Sequence, residues 1–368
     1  MPRKRTILYV TGTRAEYGLM RRTLFAIRES KKLELRIMAI GQHLDSSRGF
    51  TVDEICADGF APIVAKRVSS SSTSIHTGQM FIDVAQAIES VQPQIALVTG
   101  DRVEALAAAS AAHVAGVVVA HVHGGDRAQG QVDDSLRHAI TKLSHIHFVA
   151  TKGAAQRVAK LGEDRFRIHQ VGAPGLDGIA EDASRGNSST EPFILFSRHP
   201  FTSNEKLEAR QTIEALDAIT RAGAKQIIAL WPNNDPGSSG IARALGKKSK
   251  SASIQIHRHL NRPDFLASLR DCVCLVGNSS AGIIEAGSFG TPVIDIGLRQ
   301  NQREHGRNVT HVEDNPNAIE RAARIILKNP ERYRMKNPWG DGQAAKRIAQ
   351  VLSNVKIEPR LTQKLITY

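Results

Sequence analysis

A polar turn follows a buried apolar run between Val276 and Glu285, where the chain reads VGNSSAGIIE. Ser279 and Ser280 stand at the predicted start of a helix. Their hydroxyls can cap backbone N–H groups or turn toward an anion, for which the helix N-terminus adds attraction. Glu285 would lie on the second helical turn and reach the hydroxyls of a ligand. The turn is typical either of a capped helix or of a phosphate site, and the rest of the chain favours the phosphate site.

Ionisable residues gather at predicted strand ends in the first half of the chain. Asp101 follows one strand, His121 and His123 alternate along one face of the next, and Asp126 and Asp133 come soon afterwards. Carboxylates that are crowded together shift one another's pKa values apart, so one site can hold an acid and a base at the same pH. We therefore predict proton-transfer chemistry at this edge of the sheet.

Other strand ends carry groups that suit an anionic ligand. Arg14 follows a glycine turn after the first strand and would point at an anion. In the second half, His199, Asn233 and Arg299 follow strands in the same way, and ligands of doubly wound sheets bind at such ends. The turns lack the full dinucleotide-binding and P-loop patterns. A metal at H-x-H-x-x-D (121–126) would need a further well-spaced His or Cys, so we predict no metal site.

Short apolar, β-branched runs alternate with helix-length segments, which predicts βαβ units and parallel sheets buried on both faces. The polar segment 181–191 interrupts this alternation and is predicted to be a linker. We therefore expect an α/β protein with two Rossmann-like doubly wound domains, at 1–180 and 192–368, that face each other across a ligand cleft. An amphipathic helix from about Asp341 could pack back on the N-terminal domain. The predicted strands are 7–10, 35–40, 61–64, 95–98, 117–122, 146–149, 168–171, 193–196, 227–231, 254–256, 273–276 and 293–296.

Length and composition narrow the class of protein. The 368 residues exceed what one hydrophobic core usually serves. A net charge of +13 would permit nucleic-acid binding, but aromatic residues are only 5% and basic residues are spread out, so we expect a small polyanionic ligand and no nucleic acid.

No apolar run is long enough to span a bilayer, so we expect a cytoplasmic protein without membrane contact. Cys56, Cys272 and Cys274 form neither a disulfide framework nor a zinc pattern, and we predict that they are buried.

Taken in order, these motifs resemble the hydrolysing UDP-N-acetylglucosamine 2-epimerase family, in its sialic and legionaminic acid precursor branch. The resemblance covers nearly the whole chain and implies two Rossmann-like domains in a GT-B-like arrangement, with the active site in the interdomain cleft. It also implies a UDP-sugar substrate, no cofactor, and a homodimer or a dimer of dimers. The matching segments are TGTRAEYG, GDRVEAL, DDSLRHAITKLSH, VGAPGLD, GNSSAGIIEAGSFGTPVI and RQNQREHGRNV.

The resemblance implies how UDP is held. Ser279 and Ser280 would take the diphosphate, and Glu285 would take the ribose hydroxyls. The other residues that this resemblance assigns to UDP are Arg14, His199, Asn233 and Arg299.

The resemblance also implies the catalytic residues. Asp101 and Asp133 correspond to catalytic carboxylates, and His199 is a further catalytic candidate. A third acidic position departs from the family pattern H-x-E-G-G, because His123 stands where the family often has glutamate. Either Asp126 supplies the missing acid or His123 titrates in its place. We favour Asp126, since the two preceding glycines allow the backbone to bring residue 126 to the ligand.

The implied reaction is an anti elimination of UDP across C1–C2 of UDP-N-acetylglucosamine, followed by addition of water to the glycal to give N-acetylmannosamine. Neither a metal nor a redox cofactor is required. Two alternatives remain open. One is a 2-epimerase of a UDP-2,4-diacetamido-2,4,6-trideoxyhexose on the legionaminic acid route, and the other is a GT-B glycosyltransferase. The acidic cluster argues against the transferase, because transfer needs one base whereas elimination and hydration need several groups.

Overall fold

The computed structural model describes residues 4–44, 51–65, 72–127, 132–233, 235–258, 260–365 and 367. These residues form two compact units. The first unit contains the described residues up to Asp177 together with those from Gly340 onward, and the second contains residues 178–339. Each unit is an α/β body around one parallel sheet, so the predicted fold class is confirmed.

The first unit has seven strands among its described residues, all of them parallel. They are β1 (Arg5–Thr11), β2 (Leu33–Ala39), β3 (Ile63–Val64), β4 (Ile95–Thr99), β5 (Val118–Val122), β6 (Ile146–Val149) and β7 (Ile168–Gln170). Their order in the sheet is β3-β2-β1-β4-β5-β6-β7. Because β2 and β4 lie on opposite sides of β1, the direction of winding switches between β1 and β4, and ligands of such sheets bind at the strand ends beside this point.

The helices of the first unit cover both faces of that sheet. Helix α1 begins after Thr13, whose hydroxyl accepts a hydrogen bond from the backbone of Glu16, and buries Met20, Leu24 and Ile27 at helical spacing. The helices are α1 (Arg14–Glu29), α2 (Val52–Ala57), α3 (Thr73–Val91), α4 (Val103–Val114), α5 (Val132–Leu143), α6 (Lys152–Lys160), α14 (Ala344–Asn354) and α15 (Pro359–Thr362).

The second unit repeats the architecture with six parallel strands among its described residues. They are β8 (Ile194–Ser197), β9 (Ile227–Leu230), β10 (Ile254–His257), β11 (Cys274–Gly277), β12 (Val293–Ile296) and β13 (Val309–Val312). The order is β10-β9-β8-β11-β12-β13, so the switch point lies between β8 and β11. The helices are α7 (Ile179–Ser184), α8 (Glu205–Arg221), α9 (Ser238–Lys248), α10 (Arg262–Asp271), α11 (Ser280–Ile284), α12 (Ala286–Phe289) and α13 (Pro316–Lys328). Within the described part of the chain, no helix is long and apolar enough to cross a membrane.

The segment predicted to be a linker, 181–191, is partly helical. Helix α7 buries Ile179 and Ala183, which stand four residues apart, and Arg270 of α10 donates a hydrogen bond to the carbonyl of Ala183 at 3.0 Å. Ile179 lies before the predicted linker and Ala183 lies within it. The polar composition of 181–191 therefore gave no sign of the helix. The chain therefore enters the second unit at Gly178 rather than after residue 191.

The last part of the chain returns to the first unit. Asp177 caps α14, because its carboxylate accepts a hydrogen bond from the backbone N–H of Ala344 at 3.0 Å and another from Ala345. Ile348 and Leu352 then complete the hydrophobic core beneath β1 and α1.

The prediction for the cysteines is correct at two of three positions. Cys272 and Cys274 are buried, and burial raises the pKa of the Cys272 thiol to about 12. Cys272 ends α10 instead of lying in the strand with Cys274. Cys56 is exposed, because it lies on the outer face of the short helix α2.

Candidate active site

Two buried carboxyl groups meet beneath the turn that follows β1. The backbone N–H of Gly12 donates to Oε2 of Glu16 at 2.8 Å. The side chain of Glu104 packs against the same glycine, where an added Cβ would lie 2.4 Å from Glu104 Cγ, so a larger residue does not fit. Burial raises the pKa of Glu16 to about 8, and the charge of Glu104 adds to the shift. Glu16 is therefore protonated at neutral pH.

We expect the buried proton of Glu16 to make folding pH-dependent. Its folded pKa of about 8 lies above the ordinary value of 4.5, so the folded protein keeps a proton that the unfolded chain loses between these values. The free energy of unfolding should therefore fall as pH rises through this window, by up to about 1.4 kcal/mol per unit. Glu16→Gln should flatten this fall in urea titrations, whereas Glu29→Gln, an exposed change on the same helix, should not. Equal pH dependence of wild type and Glu16→Gln would contradict the buried proton.

Arg14 is the first residue of α1, at the end of β1 as predicted. Its Nε lies 2.6 Å from Oε1 of Glu54, and the two side chains are 49% and 44% exposed. An exposed ion pair of this kind is weak. The guanidinium can therefore exchange Glu54 for a more highly charged anion.

Asp101 follows β4, and its carboxylate pairs with the guanidinium of Arg137 on α5. Arg137 is 4% exposed, so the pair is held from below by a buried cation. Asp101 does not cap α4, since the residue in the capping position is Arg102. Asp133 lies in the first turn of α5, four residues before Arg137, and both residues therefore share one face of the helix. The structure thus brings Asp101 and the face of α5 that carries Asp133 together.

His123 and Asp126 form a second pair at the end of β5. Nδ1 of His123 lies 2.9 Å from Oδ2 of Asp126, and the side chains are 14% and 3% exposed. His123 has a left-handed backbone, with φ of 67°, which turns it away from the strand. Gly124 and Gly125 follow, and an added Cβ on Gly125 would lie 2.5 Å from the carbonyl oxygen of Ala154. The carboxylate of Asp126 therefore lies behind the imidazole of His123, which is the more exposed group of the pair.

His121 does not share a face with His123, contrary to the alternation expected from the sequence. It is fully buried, burial lowers its pKa to about 3, and its Nε2 donates to the carbonyl of Gly100 at 2.7 Å. His121 therefore supports the loop of Asp101 from below and cannot join His123 around a cation. We call Asp101, His123, Asp126, Asp133 and Arg137 the carboxylate cluster.

In the second unit, Asn278 joins the ends of β8 and β11. Its side chain accepts from the backbone N–H of His199 at 2.7 Å and donates to the carbonyl of His199 at 2.8 Å. The backbone carbonyl of Asn278 accepts hydrogen bonds from Arg299 at 3.1 Å and from Gln300 at 3.0 Å. Three loops that carry predicted ligand residues are therefore fixed around one buried amide.

His199 is neutral at pH 7. Burial lowers its pKa to about 4, and the charge of Arg299 adds to the shift. Nδ1 accepts a hydrogen bond from the backbone N–H of Asn233 at 3.1 Å, so Nε2 carries the proton and can donate to a ligand. The side chain of Asn233 donates to Asp235.

The GNSS turn is the start of a helix, as predicted. Ser279 caps α11 and accepts a hydrogen bond from the backbone of Ala281 at 3.4 Å, and Ser280 is the first helical residue. Helix α11 has only five residues, so the dipole contribution expected from the sequence is small here. Glu285 ends α11, and its Oε1 lies 3.2 Å from Nη1 of Arg262.

A cavity of about 590 Å³ opens beside this turn, within the second unit. Arg299, Leu298 and Phe201 line it, together with Asn278. Its wall is stabilised by Arg198, which is 2% exposed and lies 2.7 Å from Asp314.

Sequence reasoning did not single out Arg137, Asn278 or Gln300 as site residues. The four-residue spacing between Asp133 and Arg137 was an available signal, because it predicts a shared helix face. Asn278 and Gln300 act through backbone groups of distant loops, and no spacing in the sequence indicates such contacts.

A model of the UDP-N-acetylglucosamine 2-epimerase family matches residues 25–353. The chain belongs to this family. The resemblance inferred from the motifs is therefore confirmed, and the protein is an enzyme of the hydrolysing nucleotide-sugar 2-epimerase type.

Individual members of the UDP-N-acetylglucosamine 2-epimerase family are similar over most or all of the chain. A UDP-N,N'-diacetylbacillosamine 2-epimerase (hydrolyzing) from Legionella pneumophila is 38% identical over 99% of this chain and 100% of its own length. A UDP-N-acetylglucosamine 2-epimerase from Neisseria meningitidis is 32% identical over 83% of each chain. The crystal structure of a Neisseria meningitidis UDP-GlcNAc 2-epimerase bound to UDP-GlcNAc has a TM-score of 0.82 at 17% identity, and covers 94% of this chain and 99% of that chain. This last likeness supports the fold alone.

Proposed function

We propose that the protein hydrolyses a UDP-linked 2-acetamido sugar with inversion at C2, releasing UDP and the 2-epimeric free sugar. The observation that supports this best is the carboxylate cluster, which combines Asp101 on a buried arginine with an aspartate-oriented His123. An elimination followed by a hydration takes one proton from C2, takes one from water and delivers one to C2, and a cluster with several proton acceptors and donors suits both steps.

The proposed reaction has two balanced steps. In the first, a base of the carboxylate cluster takes the C2 proton, the C1–O bond breaks, and its electron pair leaves with UDP to give a glycal. In the second, the oxygen of water bonds to C1, a base of the carboxylate cluster takes the proton that this water loses, and a proton is delivered to the other face of C2. We assign the proton transfers to Asp101, Asp133 and His123, with Asp126 orienting the imidazole.

We assign the leaving diphosphate to Arg14, Ser279, Ser280 and Arg299. Hydrogen-bond donors of these side chains would stabilise the negative charge that develops on the diphosphate. Neutral His199 can donate from Nε2, and we assign Glu285 to the ribose hydroxyls. Asn233 completes the proposed nucleotide site.

Removing the hydroxyls of Ser279 and Ser280 should weaken UDP binding by ~1–3 kcal/mol in calorimetry, because hydrogen bonds to charged oxygens are lost. Ser280→Ala should lower UDP affinity more than it lowers the free energy of unfolding, since Ser279, and not Ser280, caps α11. Ser239→Ala, an exposed change at the start of α9, should leave UDP affinity unaltered. Wild-type affinity in the double variant would remove the diphosphate assignment.

We propose that the preferred substrate is a UDP-2,4-diacetamido-2,4,6-trideoxyhexose. The motifs alone had favoured UDP-N-acetylglucosamine. The Legionella relative named for a diacetamido sugar aligns over the whole chain, and the Neisseria relative named for UDP-N-acetylglucosamine aligns over 83% of it. We expect kcat/KM to be at least ~10-fold higher for the diacetamido substrate when both are followed by NMR, because its extra acetamido group adds contacts that the other sugar lacks. The reverse preference would assign N-acetylmannosamine as the product.

We further propose a cytoplasmic homodimer or dimer of dimers whose product enters sialic- or legionaminic-acid-type synthesis. Light scattering of the purified protein tests the assembly, and a monomer across the working concentration range would contradict it.

A further inference from the structure

The segment 359–365 is fixed to the first unit by a buried arginine. Arg167 is 2% exposed and donates to the backbone carbonyls of Arg360 at 2.9 Å, Gln363 at 2.8 Å and Leu361. Leu361 is itself 4% exposed and belongs to the core of this unit. If the segment moved away, the buried guanidinium would lose these hydrogen bonds at a cost in free energy. The segment 359–365 therefore has one strongly preferred conformation.

In this conformation, Lys364 lies at the carboxyl end of α5. Its ammonium donates to the carbonyls of Lys142 at 2.7 Å and Ser144 at 2.6 Å, and the side chain is only 13% exposed. Lys142 lies in the last turn of α5 and Ser144 directly follows the helix, where carbonyls lack partners within the helix and a cation is favourable. Lys364 therefore completes the carboxyl end of the helix whose other end carries Asp133.

A buried acid links Lys364 to the neighbouring strand. Glu163 lies 2.8 Å from Lys364, 2.8 Å from Lys142 and 3.0 Å from Nε2 of His147. Although burial opposes it, these hydrogen bonds lower the pKa of Glu163 to about 2, so the acid is ionised throughout the neutral range. His147 on β6 pairs in register with His121 on β5, which supports the carbonyl of Gly100.

Both connections end at the carboxylate cluster. Along α5, the helix presents Asp133 and the arginine that holds Asp101. Across the sheet, Glu163 pairs with His147, the register partner of His121, and His121 donates to the carbonyl of the residue immediately before Asp101. No residue of the proposed nucleotide site in the second unit takes part in either connection.

We propose that Lys364 is a positioning residue for the reaction, which sets α5 so that Asp133 and the Asp101–Arg137 pair have their working geometry. The inference rests on the proposed function for its kinetic consequence. Its structural part, the dependence of α5 on Lys364, can be measured without any substrate.

The test compares Lys364→Met with Lys364→Arg and with Lys356→Met, an exposed lysine of the same region. We expect Lys364→Met to lower kcat about 10- to 100-fold, the scale of a small displacement of catalytic groups, with KM and UDP affinity within about two-fold of wild type. Lys364→Arg should recover part of the loss, because a guanidinium can also donate to carbonyls, and Lys356→Met should behave as wild type. In an Arg137→Met background the effect of Lys364→Met on kcat should be smaller than in wild type, since part of that effect acts through the Asp101–Arg137 pair.

Amide hydrogen exchange of residues 133–143 provides the substrate-free measurement. Faster exchange in Lys364→Met, but not in Lys356→Met, supports the positioning role. Unchanged amide exchange in Lys364→Met overturns the proposal. An unchanged kcat in Lys364→Met, with an unchanged Tm, overturns it as well. If the wild-type protein hydrolyses no UDP-2-acetamido sugar, the proposed function has failed, and the exchange measurement alone decides whether Lys364 sets α5.

Discussion

Asp101→Asn is expected to lower turnover by at least ~100-fold, the usual scale for loss of a general acid or base. The amide keeps the size of the side chain and can still face Arg137, so the fold and the nucleotide site should persist. UDP affinity measured by calorimetry should stay within about two-fold of wild type. A fall in kcat without a fall in UDP affinity would separate chemistry from binding.

The neighbouring pair Asp133 and Asp134 provides the matched control. Asp133→Asn should lose turnover on the same scale as Asp101→Asn. Asp134 lies one residue further along α5, and its Oδ2 is 3.6 Å from Nε2 of His138. A residue one position along a helix points to a different face, so Asp134→Asn should retain most of its activity. Normal turnover in Asp101→Asn or Asp133→Asn would mean that the altered residue is structural.

His123→Gln is expected to have the second large effect, with a loss of at least ~100-fold in turnover. We propose the imidazole as the acting group in place of Asp126, which the sequence favoured, because Asp126 is 3% exposed and faces Nδ1 of His123. The carboxylate therefore fixes the imidazole, which leaves Nε2 as the reactive nitrogen. Asp126→Asn should lower turnover less, by about 10-fold, because the imidazole keeps its position but loses the partner that sets its tautomer.

The turnover numbers of these variants separate the two roles. Asp126→Asn should keep measurable turnover under conditions in which His123→Gln has lost it. His138→Gln, a change of a half-exposed histidine on α5, should leave turnover near that of wild type. If Asp126→Asn abolishes turnover while His123→Gln is mild, Asp126 is the acid. Full activity in both variants would show that neither residue performs the chemistry.

The fold could be predicted from the sequence because its signals are local. Runs such as Ile7–Val10 carry apolar or aromatic residues at every position, which is typical of a strand buried on both faces of a sheet. The start of α11 was equally local, since Ser279 caps the helix that it precedes. Helix α7 escaped prediction because its two buried residues lie at the edge of a polar segment.

The sequence indicated which residues belong to the candidate site, but not which of their side chains contact each other. The strand-end position of Asp101 was visible in the sequence, whereas its partner on α5 depends on how the helix packs against the sheet. The separation of His121 from His123 depends on the left-handed backbone at residue 123, and no pattern of residue types indicates such a conformation for histidine.

Incubation of the purified protein with the UDP-sugars in D₂O, followed by NMR, tests the central claim most directly. Elimination and hydration exchange the proton at C2, so the account predicts release of UDP in step with a free sugar that is inverted at C2 and carries deuterium there. No acceptor should be needed, which distinguishes this reaction from sugar transfer. A free sugar of unchanged configuration that retains its C2 proton, or no release of UDP without an acceptor, would contradict the account.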